Sequence, residues 1–396
     1  MSRFHSYLNS AATILSLYKG EEPFATFLKK YFAQYKKYGS KDRKRIGHLC
    51  YCYFRSAPHP PKGEKTISSN IEEEILKGLF LCSTGENEIL RILKPEWNER
   101  VGLSVKEKCS ILNLQYSIFN IFPWANELSD GIDFEKFCES FLTQPDLFLR
   151  IRPGKEEIVY KKLQSAGISF RQNSDSCLAL NNSEKIDKII DLDKEAVIQD
   201  YNSQQTGNLI KSEILNFKSA IEVWDCCAGS GGKSIMLYDI NPQIQLTVSD
   251  KRESILVNLK KRFEKAGIKD YKSFIADLQS YKSEILNLKS EIILVDIPCS
   301  GSGTWSRTPE QLYFFDKEKI NEYVALQRKI ISNVIPHLQA NGHLVYITCS
   351  VFKKENEEAA VFIKDQFKLE LLKMELLKGY ERKADSMFIA VFKKPL

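Results

Sequence analysis

The second part of the chain alternates apolar runs with helical stretches, and this alternation restricts the possible folds more than any other feature. From about Lys211 onward the runs are IEVWD, IQLTVSD, KSFIAD, EIILVDIPCS and GHLVYITCS, and segments such as KEKINEYVALQRKIISNVIPHL separate them. Strands that alternate with helices form a parallel sheet covered on both faces. The segments LELLKMELL and SMFIAVFKK predict a terminal hairpin. We therefore predict an α/β doubly wound sheet that ends in an antiparallel hairpin.

The first part of the chain has a different pattern. Up to about Asp130, segments such as SYLNSAATILSLYKG and PFATFLKKYFAQYKKYG carry apolar residues three and four positions apart, and Ser69 or Asn70 caps the helix IEEEILKGLFLC. From Asp146, DLFLRIRPG is extended, KEEIVYKKLQSAGI is helical and SFRQNSDSCLAL predicts a hairpin. We predict an all-helical domain over 1–140, a small α+β module over 141–205 and the sheet domain over 206–396.

Composition excludes several classes of protein. No apolar run approaches the roughly 20 residues of a membrane-spanning helix, and the N-terminus lacks a signal-peptide cleavage site. The ten cysteines lack the paired spacing of zinc ligands, since Cys50 and Cys52 are too close together. The net charge of +6 allows a nucleic-acid partner without requiring one. We expect a cytoplasmic monomer without metal, disulfides, a membrane segment or an obligate protein partner.

The segment WDCCAGSGGKS follows the first predicted strand and has two interpretations. A phosphate-binding loop requires a glycine where this chain has Cys227, so the required pattern is incomplete. In the second interpretation Asp225 ends the strand, and Gly229 and Gly231 let a cofactor approach the backbone at the start of a helix.

The next two predicted strands also end in aspartate. LTVSD ends at Asp250, about 20 positions after the glycine-rich loop, where an acidic residue accepts hydrogen bonds from ribose hydroxyls. FIAD ends at Asp277. A single aspartate after a strand more often caps the following helix. Three in succession favour an adenosine-bearing cofactor, which leaves both a dinucleotide and S-adenosylmethionine as candidates.

Two cysteines follow the fourth and fifth strands. DIPCSGSGTWSRTPE contains Asp296 and Cys299 at the carboxyl end of a strand, where open α/β sheets bind ligands, and Cys349 ends GHLVYITCS. Cysteines at such positions are either buried small apolar groups or reactive thiolates. Pro298 and the neighbouring serines and glycines predict an exposed turn, which favours the reactive interpretation, whereas we expect Cys226 to pack in the core. These patterns do not decide which thiol is the nucleophile.

Several segments together resemble a known family. WDCCAGSGGKS, VSDKRESILVNLKKR, ADL, VDIPCSGSGTWSRTPE, LQRKII and LVYITCSVFKKENE, with VIQDYNSQQTG upstream, resemble in order and spacing the motifs of the Sun/Nop (RsmB-like, Fmu) family of RNA cytosine carbon-5 methyltransferases. The N-terminal helices resemble, more weakly, the NusB-like RNA-binding domain of its bacterial ribosomal members. Ser230 replaces the proline usual in the family loop, which we expect to loosen the loop, and Arg152 replaces a family asparagine.

The resemblance implies a class I methyltransferase sheet with S-adenosyl-L-methionine as cofactor and RNA as substrate. Because carbon-5 of cytosine is a poor nucleophile, a thiolate must first add to carbon-6. The resemblance assigns the nucleophile to Cys349, the release of product to Cys299 and binding of the pyrimidine edge to Asp296, and it places Lys233 near the cofactor carboxylate or the base. The expected cofactor residues are Asp225, Cys227, Ala228, Gly229, Gly231, Gly232, Lys233, Asp250, Arg252, Asp277, Asp296 and Pro298.

A basic run in the helical domain, from Lys29 to Arg45, is the candidate RNA-binding surface. KKYFAQYKKYGSKDRKR has aromatic residues between its positive charges, a pattern that suits phosphate and base contacts. Its basic residues are Lys29, Lys30, Lys36, Lys37, Lys41, Arg43, Lys44 and Arg45. We predict a role in ribosomal RNA processing. The alternatives are a tRNA methyltransferase, a non-catalytic ribosome assembly factor on the same fold, and a P-loop nucleotidase, which the incomplete loop disfavours.

Overall fold

A computed structural model describes residues 3–60, 70–114, 121–215, 221–280 and 287–396. The chain divides into two compact units, which are discontinuous in sequence. The first consists of Met1–Asn126, Gly131–Gln144 and Thr304–Lys317, and the second of Glu127–Asp130, Pro145–Gly303 and Glu318–Leu396. The helical unit therefore includes a segment from within the predicted sheet domain.

The described elements follow the pattern predicted from the sequence. The α-helices are α1 Arg3–Leu17, α2 Phe24–Gln34, α3 Ser40–Ser56, α4 Ile71–Cys82, α5 Glu88–Leu93, α6 Pro95–Asn98, α7 Val105–Ile111, α8 Phe134–Ser140, α9 Glu156–Ser165, α10 Tyr201–Leu215, α11 Gly232–Ile240, α12 Glu253–Ala266, α13 Pro309–Phe314, α14 Glu318–Val334 and α15 Glu357–Phe367. The strands are β1 Leu147–Ile151, β2 Phe170–Ser174, β3 Cys177–Leu180, β4 Ala196–Ile198, β5 Glu222–Asp225, β6 Gln245–Asp250, β7 Tyr271–Ile275, β8 Ser290–Asp296, β9 Leu338–Thr348, β10 Glu370–Leu377 and β11 Met387–Lys393. Asn70 precedes α4, whereas Ser69 lies outside the described residues.

The helical unit has an aromatic core that includes α13. The rings of Tyr313 and Phe54 lie 5.6 Å apart, and those of Phe54 and Phe314 lie 6.2 Å apart. Gly20 has a φ of +77°, and a Cβ at this position would lie 2.6 Å from the Phe314 ring. Close approach of the backbone to this ring therefore requires glycine.

The second unit contains a small antiparallel sheet with the strand order β2-β3-β1-β4. Two arginines of the β1 region lie against helix α11: Arg150 Nη1 is 2.6 Å and Arg152 Nη2 is 2.7 Å from the carboxylate of Asp239. Arg152 also donates hydrogen bonds to the carbonyls of Asp193 and Ala266. The residue that departs from the family pattern is thus engaged in a buried contact within the unit.

The large sheet has the strand order β10-β11-β9-β8-β5-β6-β7. Strands β5 to β9 pair in parallel, and β10, β11 and β9 pair antiparallel. The predicted doubly wound sheet and its C-terminal hairpin are therefore confirmed. Because β5 and β8 are neighbours, the strand order reverses between them, and ligands bind beyond the carboxyl ends of the strands at such a point.

Three global properties bear on the class of protein. No helix in the described ranges is both long enough and apolar enough to span a bilayer. Those ranges also contain no cluster of three or more histidine, cysteine or acidic side chains with the arrangement of a metal site. Each of the ten cysteines is a free thiol.

Candidate active site

The glycine-rich loop connects β5 to α11 at the point where the strand order reverses. Gly229 and Gly231 have φ angles of +53° and +83°, which residues with a Cβ rarely adopt. A Cβ on Gly231 would also lie 2.7 Å from the ring of Phe263. The Gly229 N–H donates to Asp250 Oδ2 at 3.0 Å, so that the loop is joined to the end of β6. The two glycines that the motif requires thus have a steric and conformational reason.

A cavity of about 370 Å³ lies beside this loop. The predicted cofactor residues on its wall are Cys227, Gly229, Asp250, Arg252, Asp277, Asp296 and Pro298. The predicted residues that do not appear on the described wall are Asp225, Ala228, Gly231, Gly232 and Lys233. The carboxyl ends of the strands thus bring together most of the predicted cofactor residues around one cavity.

Two carboxylates at the cavity have partners of their own. Asp250 Oδ1 accepts a hydrogen bond from the Arg252 N–H at 2.9 Å, which fixes the turn after β6. Asp277 lies 2.9 Å from the Lys251 ammonium and accepts a bond from the Gln279 N–H at 3.1 Å. Both side chains are therefore oriented before any ligand binds.

Asp225 has a different environment from Asp250 and Asp277. It is fully buried, and its Oδ2 accepts a hydrogen bond from Ser234 Oγ at 2.6 Å. Its Oδ1 has no hydrogen-bond partner among the described residues. Burial raises the pKa of Asp225 to about 7, and the nearby carboxylates of Asp296 and Asp250 add to the rise. This aspartate connects β5 to the first turn of α11.

Lys233 and Asp296 form an ion pair at the centre of the edge. Lys233 Nζ lies 2.6 Å from Asp296 Oδ2, and the two side chains are 12% and 35% exposed. Burial lowers the pKa of Lys233, but attraction to the Asp296 carboxylate outweighs it, and the resulting pKa lies above the usual value. Lys233 therefore remains charged, and it is the less exposed member of its ion pair with the Asp296 carboxylate.

The two candidate thiols meet at this same edge. Cys349 directly follows β9 and Cys299 follows β8, and their sulfurs are 3.4 Å apart. Each cysteine is partly buried, while Cys226 is 1% exposed and packs in the core as predicted. The hydrogen bond with Cys349, together with burial, raises the pKa of Cys299 well above that of a free thiol. The structure therefore brings the predicted thiols together and disfavours the thiolate form at Cys299.

Ser230, where the family has proline, has a side-chain anchor. Arg262 Nη1 donates to both the carbonyl and the hydroxyl of Ser230 at 2.9 Å. The same guanidinium pairs with Asp193 at 2.7 Å. From the sequence we expect a looser loop without the proline, and in the structure these contacts join the loop to helix α12.

A comparison with known families agrees with this geometry. Residues 212–392 match the model of the family described as 16S rRNA methyltransferase RsmB/F. This range, somewhat less than half of the chain, is similar to the RsmB/F methyltransferase family. The matched range contains the glycine-rich loop, both thiols and the Lys233–Asp296 pair.

Individual relatives are similar to this chain over different lengths. The chain is similar to a ribosomal RNA small subunit methyltransferase B from Enterobacter sp. (strain 638), with 35% identity over 147 residues, which are 36% of this chain and 33% of that protein. It is 26% identical over 328 residues to a probable enzyme of the same name from Synechocystis, covering 80% and 71% of the two chains. The chain thus spans about a third of the length of the Enterobacter relative.

A solved structure shares the fold. A methyltransferase homolog protein from Pyrococcus horikoshii superposes with a TM-score of 0.56 and 20% identity, over 75% of this chain and 97% of that one. At this identity the likeness concerns the fold alone.

Sequence reasoning missed one buried side chain of the RsmB/F region. Glu355 lies within the quoted segment LVYITCSVFKKENE, but no role was assigned to it. It is 0% exposed and contacts the residues that follow both thiols, Ser300 and Ser350. The available signal was an acidic residue in a loop shortly after Cys349, the predicted nucleophile.

Proposed function

We propose that this chain is an S-adenosyl-L-methionine-dependent RNA cytosine carbon-5 methyltransferase that acts on ribosomal RNA through a covalent bond between cysteine and cytosine. The observation that carries the proposal is the pair of sulfurs 3.4 Å apart, next to the Lys233–Asp296 pair and the cavity at the strand edge. A ribosomal substrate is supported by the names of the relatives and of the matching family.

The cavity has the size and donor set for the cofactor. Its volume of about 370 Å³ lies within the range of small-molecule sites. Asp250 and Asp277 supply carboxylate acceptors, which suit the hydroxyl and amino donors of an adenosine, and we assign them to the ribose and the adenine. When bound, S-adenosylmethionine supplies an electrophilic methyl group.

Different side chains perform different steps of the proposed reaction. The Cys349 sulfur adds to carbon-6 of cytosine, which makes carbon-5 nucleophilic. After methylation the carbon-5 proton leaves to a base, the electrons of that bond restore the double bond, and the Cys349 sulfur leaves with the electrons of the carbon–sulfur bond. Lys233 orients the Asp296 carboxylate so that it can accept a hydrogen bond from the pyrimidine edge.

The raised pKa of Cys299 supports this assignment of the two thiols. A protonated Cys299 does not compete as nucleophile, because only the thiolate attacks readily. Its sulfur stays beside the adduct, where it can assist release. A target base must leave its stack to reach this edge, so we propose a single-stranded or flipped nucleotide as substrate.

The two cysteines can be separated experimentally. Cys299→Ala forms the bond but releases it slowly, so this variant should accumulate a covalent protein–RNA complex that migrates as a slower band on a denaturing gel. Cys349→Ala should give neither methylation nor the band. Cys109→Ala, which removes a buried thiol of α7, is the matched control and should methylate like the unmodified chain. A band with Cys349→Ala and none with Cys299→Ala would reverse the two assignments.

The identity of the RNA is tested in cells. Bisulfite sequencing of RNA from a deletion strain should show the loss of one methylated cytosine in ribosomal RNA. Loss from a transfer RNA would favour the tRNA alternative. An unchanged pattern, with no covalent complex from any variant, would favour the non-catalytic assembly factor.

A further inference from the structure

Glu355, in the connection between β9 and α15, is a carboxylate whose hydrogen-bonding capacity is fully used. Its Oε1 accepts hydrogen bonds from the Ser300 N–H at 2.9 Å and from Gln327 Nε2 at 3.0 Å. Its Oε2 accepts from the hydroxyls of Ser300 and Ser350, each at 2.5 Å. Glu355 is completely buried, so these four bonds take the place of the water molecules that would otherwise donate to its two carboxylate oxygens.

The donors to Glu355 belong to the two thiol-bearing loops. Ser300 directly follows Cys299, and Ser350 directly follows Cys349. Gln327 of α14 donates to the carboxylate and also to the carbonyl of Pro298, which precedes Cys299, at 3.1 Å. One carboxylate therefore connects the loop after β8 to the loop after β9.

We infer that Glu355 is a positioning residue that sets the separation of the Cys299 and Cys349 sulfurs. Its meaning for catalysis rests on the proposed function, but the separation itself is a property of the folded chain. The register of β8 with β9 ends at Asp296 and Ile347, and two backbone bonds continue beyond it, from the Ile297 N–H to the Ile347 carbonyl at 3.0 Å and from the Gly303 N–H to the Cys349 carbonyl at 2.8 Å. In the loops beyond the strands, the Glu355 carboxylate adds its side-chain bonds to these backbone bonds and to the Ser302 hydroxyl, which lies 3.1 Å from Ser350 Oγ.

The charge of this residue explains why a neutral group would connect the loops less strongly. Hydrogen bonds to an ionised acceptor are roughly twice as strong as neutral ones. Burial raises the pKa of Glu355, while the bonds from Ser300, Ser350 and Gln327 oppose the rise. Among the described residues no ion pair to Glu355 is found, so the bonds from these neighbours are what stabilise its charge. Glu355→Ala would leave the Ser300 N–H without this acceptor in the core.

The spacing of the sulfurs can be measured without RNA or cofactor. In glutathione redox buffers, Cys299 and Cys349 exchange with glutathione disulfide: the protein gains one sulfur–sulfur bond and two glutathione thiols are released. The equilibrium constant reports the effective concentration of one thiol at the other. Peptide mapping identifies the bond, because Arg307 and other basic residues separate the two cysteines into different tryptic fragments.

Glu355→Ala should lower this equilibrium constant by about tenfold or more, which corresponds to about 30 mV. Glu355→Gln has the same shape but no charge, and the serine hydroxyls can turn to accept from its amide, so the constant should fall by only about threefold. Ser350→Ala removes one of the four bonds to Glu355, together with the contacts of its hydroxyl with Ser300 and Ser302, and should give an intermediate value. Glu358→Ala, an exposed glutamate in the same segment, is the matched control and should have no effect.

A folded Glu355→Ala protein with an unchanged constant would overturn the inference, as would a Glu355→Gln protein that loses as much as Glu355→Ala. If Glu355→Ala does not fold, Ser350→Ala decides, and an unchanged constant overturns the inference. Methylation by the same proteins is measured separately, and rescue by Glu355→Gln is the expected result. Absence of methylation in every protein would count against the proposed function and would leave the measured spacing intact.

Discussion

The carboxyl edge of the seven-stranded sheet and the basic run of the helical unit both carry charged side chains, but they expose them differently. At the sheet edge, Asp225 is fully buried and the Lys233 side chain is 12% exposed. In the basic run, residues such as Lys36 and Lys37 are exposed, and even Lys30, which pairs with Glu22, has a side chain that is 69% exposed.

This difference separates two uses of charge. A buried charge interacts strongly with a few fixed neighbours, because the surrounding medium screens it weakly. An exposed lysine interacts weakly with many positions of a partner, and salt reduces that interaction. Single substitutions at the edge should therefore have large and specific effects, and those in the basic run should have small and additive ones.

The largest effect is expected from Asp225→Asn. The pKa of Asp225 is raised from 3.8 to about 7, so the folded state favours the protonated form. The resulting stabilisation is complete below the unfolded pKa and is lost as the pH rises through about 7. We expect the free energy of unfolding to fall by up to ~4 kcal/mol over this interval, and Asp225→Asn to remove that dependence.

Denaturant unfolding as a function of pH measures the effect. Asp270→Asn, which changes an exposed aspartate, is the control and should keep the original profile. An equally steep profile in Asp225→Asn would show that the buried edge does not behave as described.

An intermediate effect is expected from Asp250→Ala. This carboxylate lies on the cavity wall, and its loss leaves polar groups of the bound cofactor without a partner. We expect calorimetry to show S-adenosylmethionine binding weakened by roughly 1 to 3 kcal/mol. Glu253→Ala, an exposed change nearby, should bind normally. Tight magnesium-dependent ATP binding instead of S-adenosylmethionine binding would contradict the cofactor assignment.

The smallest effects are expected in the basic run. Lys37→Ala should lower the slope of log affinity for single-stranded RNA against log salt by about 1. Stability should change by less than about 0.5 kcal/mol, because the side chain is exposed. Fluorescence anisotropy at several salt concentrations measures the slope, with Lys260→Ala as an exposed control. Equal slopes for both variants would leave the run as a solvated surface without an RNA-binding role.

The aromatic residues within the basic run show one limit of the sequence pattern. Tyr31 and Phe32 are 9% and 6% exposed and pack in the helical core, whereas Tyr35 is 40% exposed. The alternation of aromatic and basic residues therefore reports mainly a helix with one buried face.

The strand-end residues were predictable because a parallel sheet brings the carboxyl ends of its strands to one edge. Asp250, Asp277, Cys299 and Cys349 follow from that rule and from their local sequence. The rule gives the place of a residue but not the direction of its side chain, so Asp225 looked equivalent to Asp250, although it is buried against Ser234. Glu355 could not be found in this way, because its partners come from segments that only tertiary folding brings together.

The position of α13 could not be predicted for a similar reason. Pro309–Phe314 has six residues, too few to show a helical period or to indicate which core it joins. The chain before Thr304 and after Lys317 belongs to the sheet unit, while the aromatic side chains of α13 pack with Phe54 and other residues of the helical unit.

The place of α13 in the chain also affects the order in which the protein can fold during synthesis. The helical unit starts at the N-terminus, but its core lacks Tyr313 and Phe314 until the ribosome has made most of the chain. Contacts between residues so far apart in sequence slow folding, because a long loop must close before they form. The helical unit is translated before the sheet unit but is completed late. Its aromatic residues lack Tyr313 and Phe314 as partners while several strands of the sheet are being synthesised.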